Sequence, residues 1–267
     1  AKEVGAASGR VSPNYIGPHN HPRDVLVGTL LRRPHMMLVN KLGERYIDEN
    51  LYSNGEFGWM SGKALEEQPQ KISFAIMDQT TFDDMKKHPM VASEVEANQT
   101  RHDPKTGLLD VNKSKTDWIY EVESRMDKEI EAGMMKKCGS IGEVAEYIGC
   151  DVNTLNETIS VYNGYCEKGK DEDFLKDPLY LYSVKNPPFY VFKGLHGIDN
   201  FIGGIKINYK MQVVNDDGKA ISGLFACGIA TSGWLGYGYG HAGTEMGLSV
   251  YSGYTSGKNA AKYAQGI

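Results

Sequence analysis

The chain has 267 residues, of which 40% are apolar and 24% charged, with a formal net charge of -5. That length can bury one large core or two smaller ones, and the negative balance, with no stripe of Lys and Arg, argues against nucleic acid as the main partner. No apolar run approaches the roughly 18 residues that span a bilayer, so no membrane span is expected, and no signal peptide is read at the Ala-Lys-Glu-Val opening.

Residues 1 to 35 are rich in Gly, Pro, His and Asn and read mostly as irregular backbone, with room for a helix within Asp24 to Leu31. Met36 to Val39 is strand-like, Asn40 to Gly43 turns, and Arg45 to Ile47 reads as the returning strand of a hairpin. A polar stretch follows over 51 to 71, then a compact strand at Ile72 to Met77 and a short helix from Thr80 to Lys87, ended before Pro89. Residues 92 to 115, with a turn at Asp103 to Gly107, read as an exposed excursion, and Asp117 to Lys137 as a charged helix.

Ser140 with Glu143 three residues on fits a capping box, and Asp151 caps a second helix in which Leu155, Ile159, Tyr162 and Cys166 keep near-helical spacing. Pro187 and Pro188 close the middle section, and Phe189 to Phe192 opens a β-rich stretch. It continues through Ile205 to Asn208, Met211 to Val214, a turn at Asn215 to Gly218 and an apolar run at Leu224 to Cys227 that reads as a buried strand.

A glycine-dense loop carrying Trp234, Tyr237, Tyr239 and His241 leads from that strand into a helix from about Thr244, with Met246, Val250 and Tyr254 at i, i+4 and i+8. Strand, glycine loop and helix N-terminus form a layout whose backbone N–H groups can face an anionic or electron-rich ligand. The alternative is a tight turn between a core strand and a core helix.

Cys138, Cys150, Cys166 and Cys227 are widely spaced with no CxxC pair, so neither zinc nor a redox dithiol is indicated. Buried free thiols in a reducing compartment, the cytoplasm in the first place, are expected. His19, His21 and His35 lack the cysteines or paired carboxylates of a zinc ligand set, and no metal is expected.

Five segments in order carry a family resemblance. Val39-Asn40-Lys41-x-Gly43-x-Arg45-Tyr46-x-x-Glu49 is similar to V-N-x-x-G-x-R-F-x-x-E, and Tyr162-Asn163 through Gly169, Asp171 and Phe174 to a Y-N…G-x-D-x-x-F helix end. Pro187-Pro188-Phe189-Tyr190, Gly203-Gly204-Ile205-Lys206-Ile207-Asn208 and Gly218 through Gly223-Leu224-Phe225-Ala226-x-Gly228 complete the series. The chain thereby resembles the C-terminal part of the FAD-dependent flavoproteins that include fumarate reductase and 3-ketosteroid dehydrogenase.

The resemblance implies an α+β fold cut from an α/β parent: a partial FAD-binding base domain with an inserted α+β capping domain. Residues 1–57 would lead into the cap, 58–186 form it, and 187–267 return to the base domain. FAD is the implied cofactor, with Gly203, Gly204, Ala226, Cys227, Gly228, Gly243, Thr244, Met246 and Gly247 as the contacting positions. The family's G-x-G-x-x-G segment has no counterpart in residues 1 to 60. A fragment or one piece of a split protein is therefore expected, with FAD binding a property of the full-length parent. Its partners would be a small-molecule substrate, and the missing N-terminal FAD-binding segment or a redox partner.

Substrate class follows from departures within the resemblance. Asn200-Phe201-Ile202-Gly203-Gly204 stands where fumarate reductases carry H-T-x-G-G, Tyr52-Ser53 stands where they carry an Arg, and no Arg occurs between Gly223 and Gly257. A dicarboxylate needs cationic, preferably bidentate partners. Tyr239-Gly240-His241-Ala242-Gly243 instead matches the Y-x-x-x-G loop of 3-ketosteroid dehydrogenases, whose Tyr hydroxyl and Gly N–H polarise a ketone. Tyr52 lies three residues after Glu49, one short of that family's proton-accepting Tyr, and Ile229 replaces a glutamate that follows A-A-G. Tyr239, Gly243, Tyr52 and His241 are the catalytic candidates, for hydride transfer at a carbon adjacent to a carbonyl. A catalytically inactive ligand- or partner-binding domain is the alternative.

Overall fold

The computed structural model describes residues 1–19, 33–53, 58–87, 126–232, 234 and 243–266. Its strands are β1 (Ser8–His19), β2 (Met37–Asn40), β3 (Ile72–Met77), β4 (Met135–Cys138), β5 (Phe189–Lys206), β6 (Gln212–Val214), β7 (Ala220–Phe225) and β8 (Thr231–Ser232). Its helices are α1 (Glu49–Ser53), α2 (Gly58–Glu66), α3 (Gln79–Lys87), α4 (Ile141–Ile148), α5 (Val152–Lys168) and α6 (Thr244–Ala264). The chain divides into two units, one of residues 1–15 with 198–267 and the other of residues 16–197. These divisions fall at other positions than the expected domain limits at 57 and 186.

The unit of residues 16–197 is built on an antiparallel sheet in which β3 lies between β2 and β5, and β4 pairs with the opposite edge of β5. Side chains alternate faces along each strand. Met36, Leu38, Ala75, Met77, Tyr190 and Phe192 pack with Phe82 and Met85 on one face. Met37, Val39, Phe74, Ile76, Phe189 and Val191 pack on the other with Val144, Ile148, Leu155, Ile159 and Tyr162 of α4 and α5. Burial on both faces is why β2 and β3 read as near-continuous apolar runs rather than as alternation.

Local signals set the helices of this unit. Ser140 Oγ accepts from Glu143 N at 3.2 Å and Glu143 Oε2 accepts from Gly139 N at 2.9 Å, so the expected reciprocal cap forms with the second donor one residue earlier. Asp151 Oδ1 accepts from Asn153 N and Thr154 N at 3.0 and 2.9 Å to start α5, which ends at Gly169 in the left-handed region, φ 67°. Asp78, fully buried, accepts from Thr81 N at 2.8 Å through Oδ1 and from Lys185 N and Asn186 N at 3.0 and 2.9 Å through Oδ2. One carboxylate thus caps α3 and holds the chain as it approaches the cis Pro187–Pro188 peptide.

Three expectations need correction. The hairpin from Arg45 to Ile47 shrinks to a single Val39–Arg45 bridge, because β2 pairs along its length with β3 and Arg45 turns its side chain into a buried cluster. The charged helix ends early: residues 126–131 are helical, but Met135–Cys138 is a strand paired with Phe189–Phe192. The irregular N-terminal stretch contains β1, whose composition is a poor strand former and which forms by pairing with β5. The Asp24–Leu31 helix and the 92–115 excursion lie outside the described residues.

In the unit of residues 1–15 and 198–267, the last part of β5 pairs in parallel with β8, Ile205 opposite Thr231. Lys206 N donates to Ala7 O at 2.9 Å. Residues Met211 to Phe225 form the β6–β7 ribbon closed by the predicted turn, where Asn215 accepts Lys219 N at 2.8 Å and Gly218 takes φ 78°. The expected buried strand at Leu224 to Cys227 ends at Phe225 and is only partly buried, since one face of a two-stranded ribbon packs on α6 through the Phe225–Tyr263 ring pair.

Candidate functional site: a glycine turn held on a helix

The candidate cofactor positions group on three adjoining pieces of one unit. Gly203 and Gly204 close β5 at φ 108° and 149°. A Cβ on Gly203 would stand 2.0 Å from Arg10 O, and one on Gly204 2.2 Å from Ala230 O. Both positions therefore exclude side chains because neighbouring backbone occupies the space. This is a physical reason for the G-G pair independent of any ligand.

Ala226, Cys227 and Gly228 form the second piece. Ala226 N donates to Met211 O at 3.1 Å, and Gly228 opens a 3-10 turn to Ala230 with φ 72°. Gly228 is held on both sides: its N–H donates to Ser252 Oγ at 2.9 Å, and its carbonyl accepts from Thr231 Oγ1 at 2.7 Å.

The third piece is the start of α6. Gly243 at the N-cap has φ 88°, and Gly247 N closes the first intrahelical bond to Gly243 O at 2.9 Å. Thr244, Met246 and Gly247 follow in the first turn, where aligned peptide dipoles favour negative charge or electron density. The face that α6 buries is polar and small, with Ser252 and Ser256 inward and Asn259 Nδ2 donating to Lys210 O at 2.9 Å. Met246, Val250 and Tyr254, the stripe at helical spacing, are 73%, 69% and 71% exposed, which does not fit the alternative of a core helix. The helix is inverted relative to the usual amphipathic pattern.

These residues fit the implied cofactor on their own geometry. Among the described residues, a Cβ on Gly243 or Gly247 would meet nothing within 4 Å, and one on Gly228 only Ser249 Oγ at 3.7 Å. The donor set, a helix N-terminal turn beside a glycine turn, suits a flat heteroaromatic group or a phosphate. Among the described residues no group of His, Cys, Asp or Glu is placed to hold a metal ion. Tyr239 and His241 lie outside the described residues. Tyr52 is in α1, in the other unit, and its side chain also lies outside them.

Sequence reasoning passed over a second centre, in the unit of residues 16–197. Glu49 Oε2 and Asp171 Oδ2 each lie 2.9 Å from Arg45 Nη2, and Lys176 Nζ lies 3.4 Å from Glu49 Oε2. Glu49 also accepts from Leu38 N at 3.0 Å, and Lys176 Nζ donates to Met36 O and Tyr162 Oη at 2.9 and 3.0 Å. The Arg45 guanidinium sits over the rings of Tyr162 and Phe174, 4.7 and 5.0 Å from their centroids. Two cations and two anions are thus buried together with their hydrogen bonds made.

Burial pushes the Glu49 and Asp171 carboxyls up, but the neighbouring Lys176 and Arg45 charges and the hydrogen bonds outweigh it and leave both below the ordinary carboxylate value. For Lys176 burial prevails over Glu49 and lowers its pKa, and burial raises that of Tyr162. Arg45 and Glu49 come from one family-like segment and Tyr162, Asp171 and Phe174 from another, so two separately quoted motifs meet as one cluster. Spacing along the sequence held no sign of that pairing.

The chain belongs to the FAD binding domain family, whose model matches residues 1–245. The ordered segments read from the sequence are borne out in this, and FAD is the cofactor of the family. Among curated relatives, a vinyl phenol reductase of Lactiplantibacillus plantarum is 30% identical over 232 residues, 85% of this chain and 43% of the relative. A probable fumarate reductase, Ifc3, of Shewanella frigidimarina is 27% identical over 267 residues, 99% of this chain and 37% of the relative. The chain therefore spans less than half the length of either. The crystal structure of the 3-ketosteroid Δ1-dehydrogenase from Sterolibacterium denitrificans shares the fold, with a TM-score of 0.64 at 19% identity over 98% of this chain and 46% of that one.

Proposed function

We propose that this chain is the capping and C-terminal flavin-contacting part of an FAD-dependent oxidoreductase acting on a carbon adjacent to a carbonyl, in a ketone- or enoate-type substrate rather than a simple dicarboxylate. The observation that carries this reading is the final loop of an FAD-family chain, where Tyr239 and Gly243 stand at Y-x-x-x-G spacing and no Arg occurs from Gly223 to Gly257. FAD, when bound, supplies the two-electron redox chemistry.

The start of α6 from Gly243 to Gly247 and the turn from Ala226 to Gly228 would hold the flavin by backbone groups, with Gly204 letting β5 close against Ala230 at the end of that turn and Gly203 letting it close against Arg10 of β1. The Tyr239 hydroxyl and the Gly243 N–H donate to the substrate carbonyl oxygen, where negative charge develops. Tyr52 exchanges the proton at the carbon next to the hydride-exchanging one, and His241 is the second acid–base group of the loop. Without a cation to pair a second carboxylate, the loop discriminates against dicarboxylates.

The test is Tyr239→Phe in the chain with the N-terminal FAD-binding segment restored, with FAD content and turnover measured on α,β-unsaturated ketones and enoates. Turnover about a hundredfold lower at unchanged FAD content is expected. Full activity in that variant would remove Tyr239 from the site. A wild-type chain that stays colourless with added FAD and turns over nothing even with that segment restored would identify a ligand- or partner-binding portion instead.

A further inference from the structure

We propose that Ser252 is the positioning residue of the Cys227–Ala230 turn, fixing the direction in which the Cys227 carbonyl is offered to the cofactor; this rests on the flavin reading above. Ser252 is fully buried in the interior of α6, a position where the helix itself has no need of a hydroxyl. Its Oγ donates to Leu248 O, one turn back, at 2.6 Å. The hydroxyl proton is thereby used inside the helix, and a lone pair is left to accept Gly228 N–H at 2.9 Å. The direction of both bonds follows from these partners, since a carbonyl can only accept and an amide N–H can only donate.

The consequence reaches the preceding peptide. In a trans peptide the N–H and C=O point to opposite sides of one plane. Among the described residues the only cis peptide is Pro187–Pro188. Directing Gly228 N–H at Ser252 therefore turns the Cys227 carbonyl away from α6. Thr231 Oγ1, on a residue 3% exposed, fixes the following peptide by donating to Gly228 O. On the other side the Ala230 carbonyl stands where a Cβ on Gly204 would be. The turn is braced from the helix by the Ser252 side chain, from within by that of Thr231, and from β5 by backbone alone.

Helix propensity opposes the residue found here. Alanine would favour an interior helical position by about 0.5 kcal/mol, and serine at 252 keeps its place through the bond it makes outside the helix. Removing the hydroxyl would improve the helix locally and leave the Gly228 amide without its acceptor.

The experiment compares Ser252→Ala, Ser252→Thr and, as a buried control on the same helix face, Ser256→Ala. Two readouts are taken: amide exchange at Gly228 on the chain without FAD, and the dissociation constant for FAD added to the chain with the N-terminal FAD-binding segment restored. In Ser252→Ala, Gly228 exchange about tenfold faster and FAD binding about tenfold weaker are expected, from the loss of one hydrogen bond. Ser252→Thr, which keeps the hydroxyl, and Ser256→Ala should stay near wild type in both. Unchanged Gly228 exchange in Ser252→Ala overturns the inference whatever FAD does. Faster exchange at unchanged FAD affinity overturns it too, because the turn is then not presented to the cofactor. No FAD uptake by the wild-type chain with the N-terminal FAD-binding segment restored would sink the flavin reading itself, and the exchange result would still decide the Ser252–Gly228 bond.

Discussion

Arg45 reaches across 126 residues of sequence to Asp171, with Nη1 and Nη2 donating to Oδ1 and Oδ2 at 3.3 and 2.9 Å. The same guanidinium bonds Glu49 through Nε and Nη2, so a planar fork serves two carboxylates at once. An ammonium cannot reproduce that geometry. Arg45→Met and Asp171→Asn should each destabilise the chain by about 3–5 kcal/mol, the cost of leaving a buried charge without its partner, and Arg45→Lys, which keeps the charge and loses the fork, by less. Urea denaturation checks this, and the double variant should lose less than the two single losses added.

The same cluster sets an acid limit. Glu49 and Asp171 have folded-state pKa values below their ordinary ones. A depressed carboxylate pKa means that the unfolded chain takes up protons first as pH falls. The stabilisation from these two groups is whole above the ordinary carboxylate range of about 4 and is lost below it, as pH falls through the folded values. Denaturation midpoints should hold from neutral pH to about 5 and drop below about 4. In Asp171→Asn the drop should be shallower.

Glycines separate into two kinds by what surrounds them. Gly203→Ala and Gly204→Ala place a methyl 2.0 and 2.2 Å from backbone carbonyls that no rotamer change can move aside. Each should cost about 3 kcal/mol or more. Gly164, inside α5 with nothing among the described residues within 4 Å of an added Cβ, should behave in the opposite way. Gly164→Ala is expected to stabilise by about 0.5–1 kcal/mol. Thermal melts of the three variants test both directions.

Ser140→Ala removes the acceptor for Glu143 N at the start of α4. A loss of about 1 kcal/mol is expected, with Ser140→Asp retaining most of the stability because a carboxylate also caps. Thermal melts read this as well.

What could be read from the sequence divides by the range of the physics involved. The caps at Ser140 and Asp151 are written within three residues of the helices they start, and both form. The apolar runs of Met37–Asn40 and Ile72–Met77 declare strands by themselves. By contrast, β1 exists through a partner far along the chain, and its Gly, Pro and Asn content conceals it. Met246, Val250 and Tyr254 showed the helical period correctly but not which face is covered, since Ser252 and Ser256 pack inward and Ser252 makes hydroxyl bonds that a hydropathy pattern ignores. Family-like segments pointed to Arg45, Glu49 and Asp171 singly. Their meeting is a tertiary fact.

Asp78 carries two messages at different ranges. Its Oδ1 bond to Thr81 is available as soon as the first turn of α3 forms, whereas its Oδ2 bonds to Lys185 and Asn186 close spans of 107 and 108 residues. The entropy of closing a flexible span rises by only about 0.6 kcal/mol for each doubling of its length. Chain inserted or removed between these points thus changes the closing equilibrium little, while the carboxylate that ends the span has no substitute in it. The number of residues between 78 and 185 is thus freer to vary than the identity of residue 78.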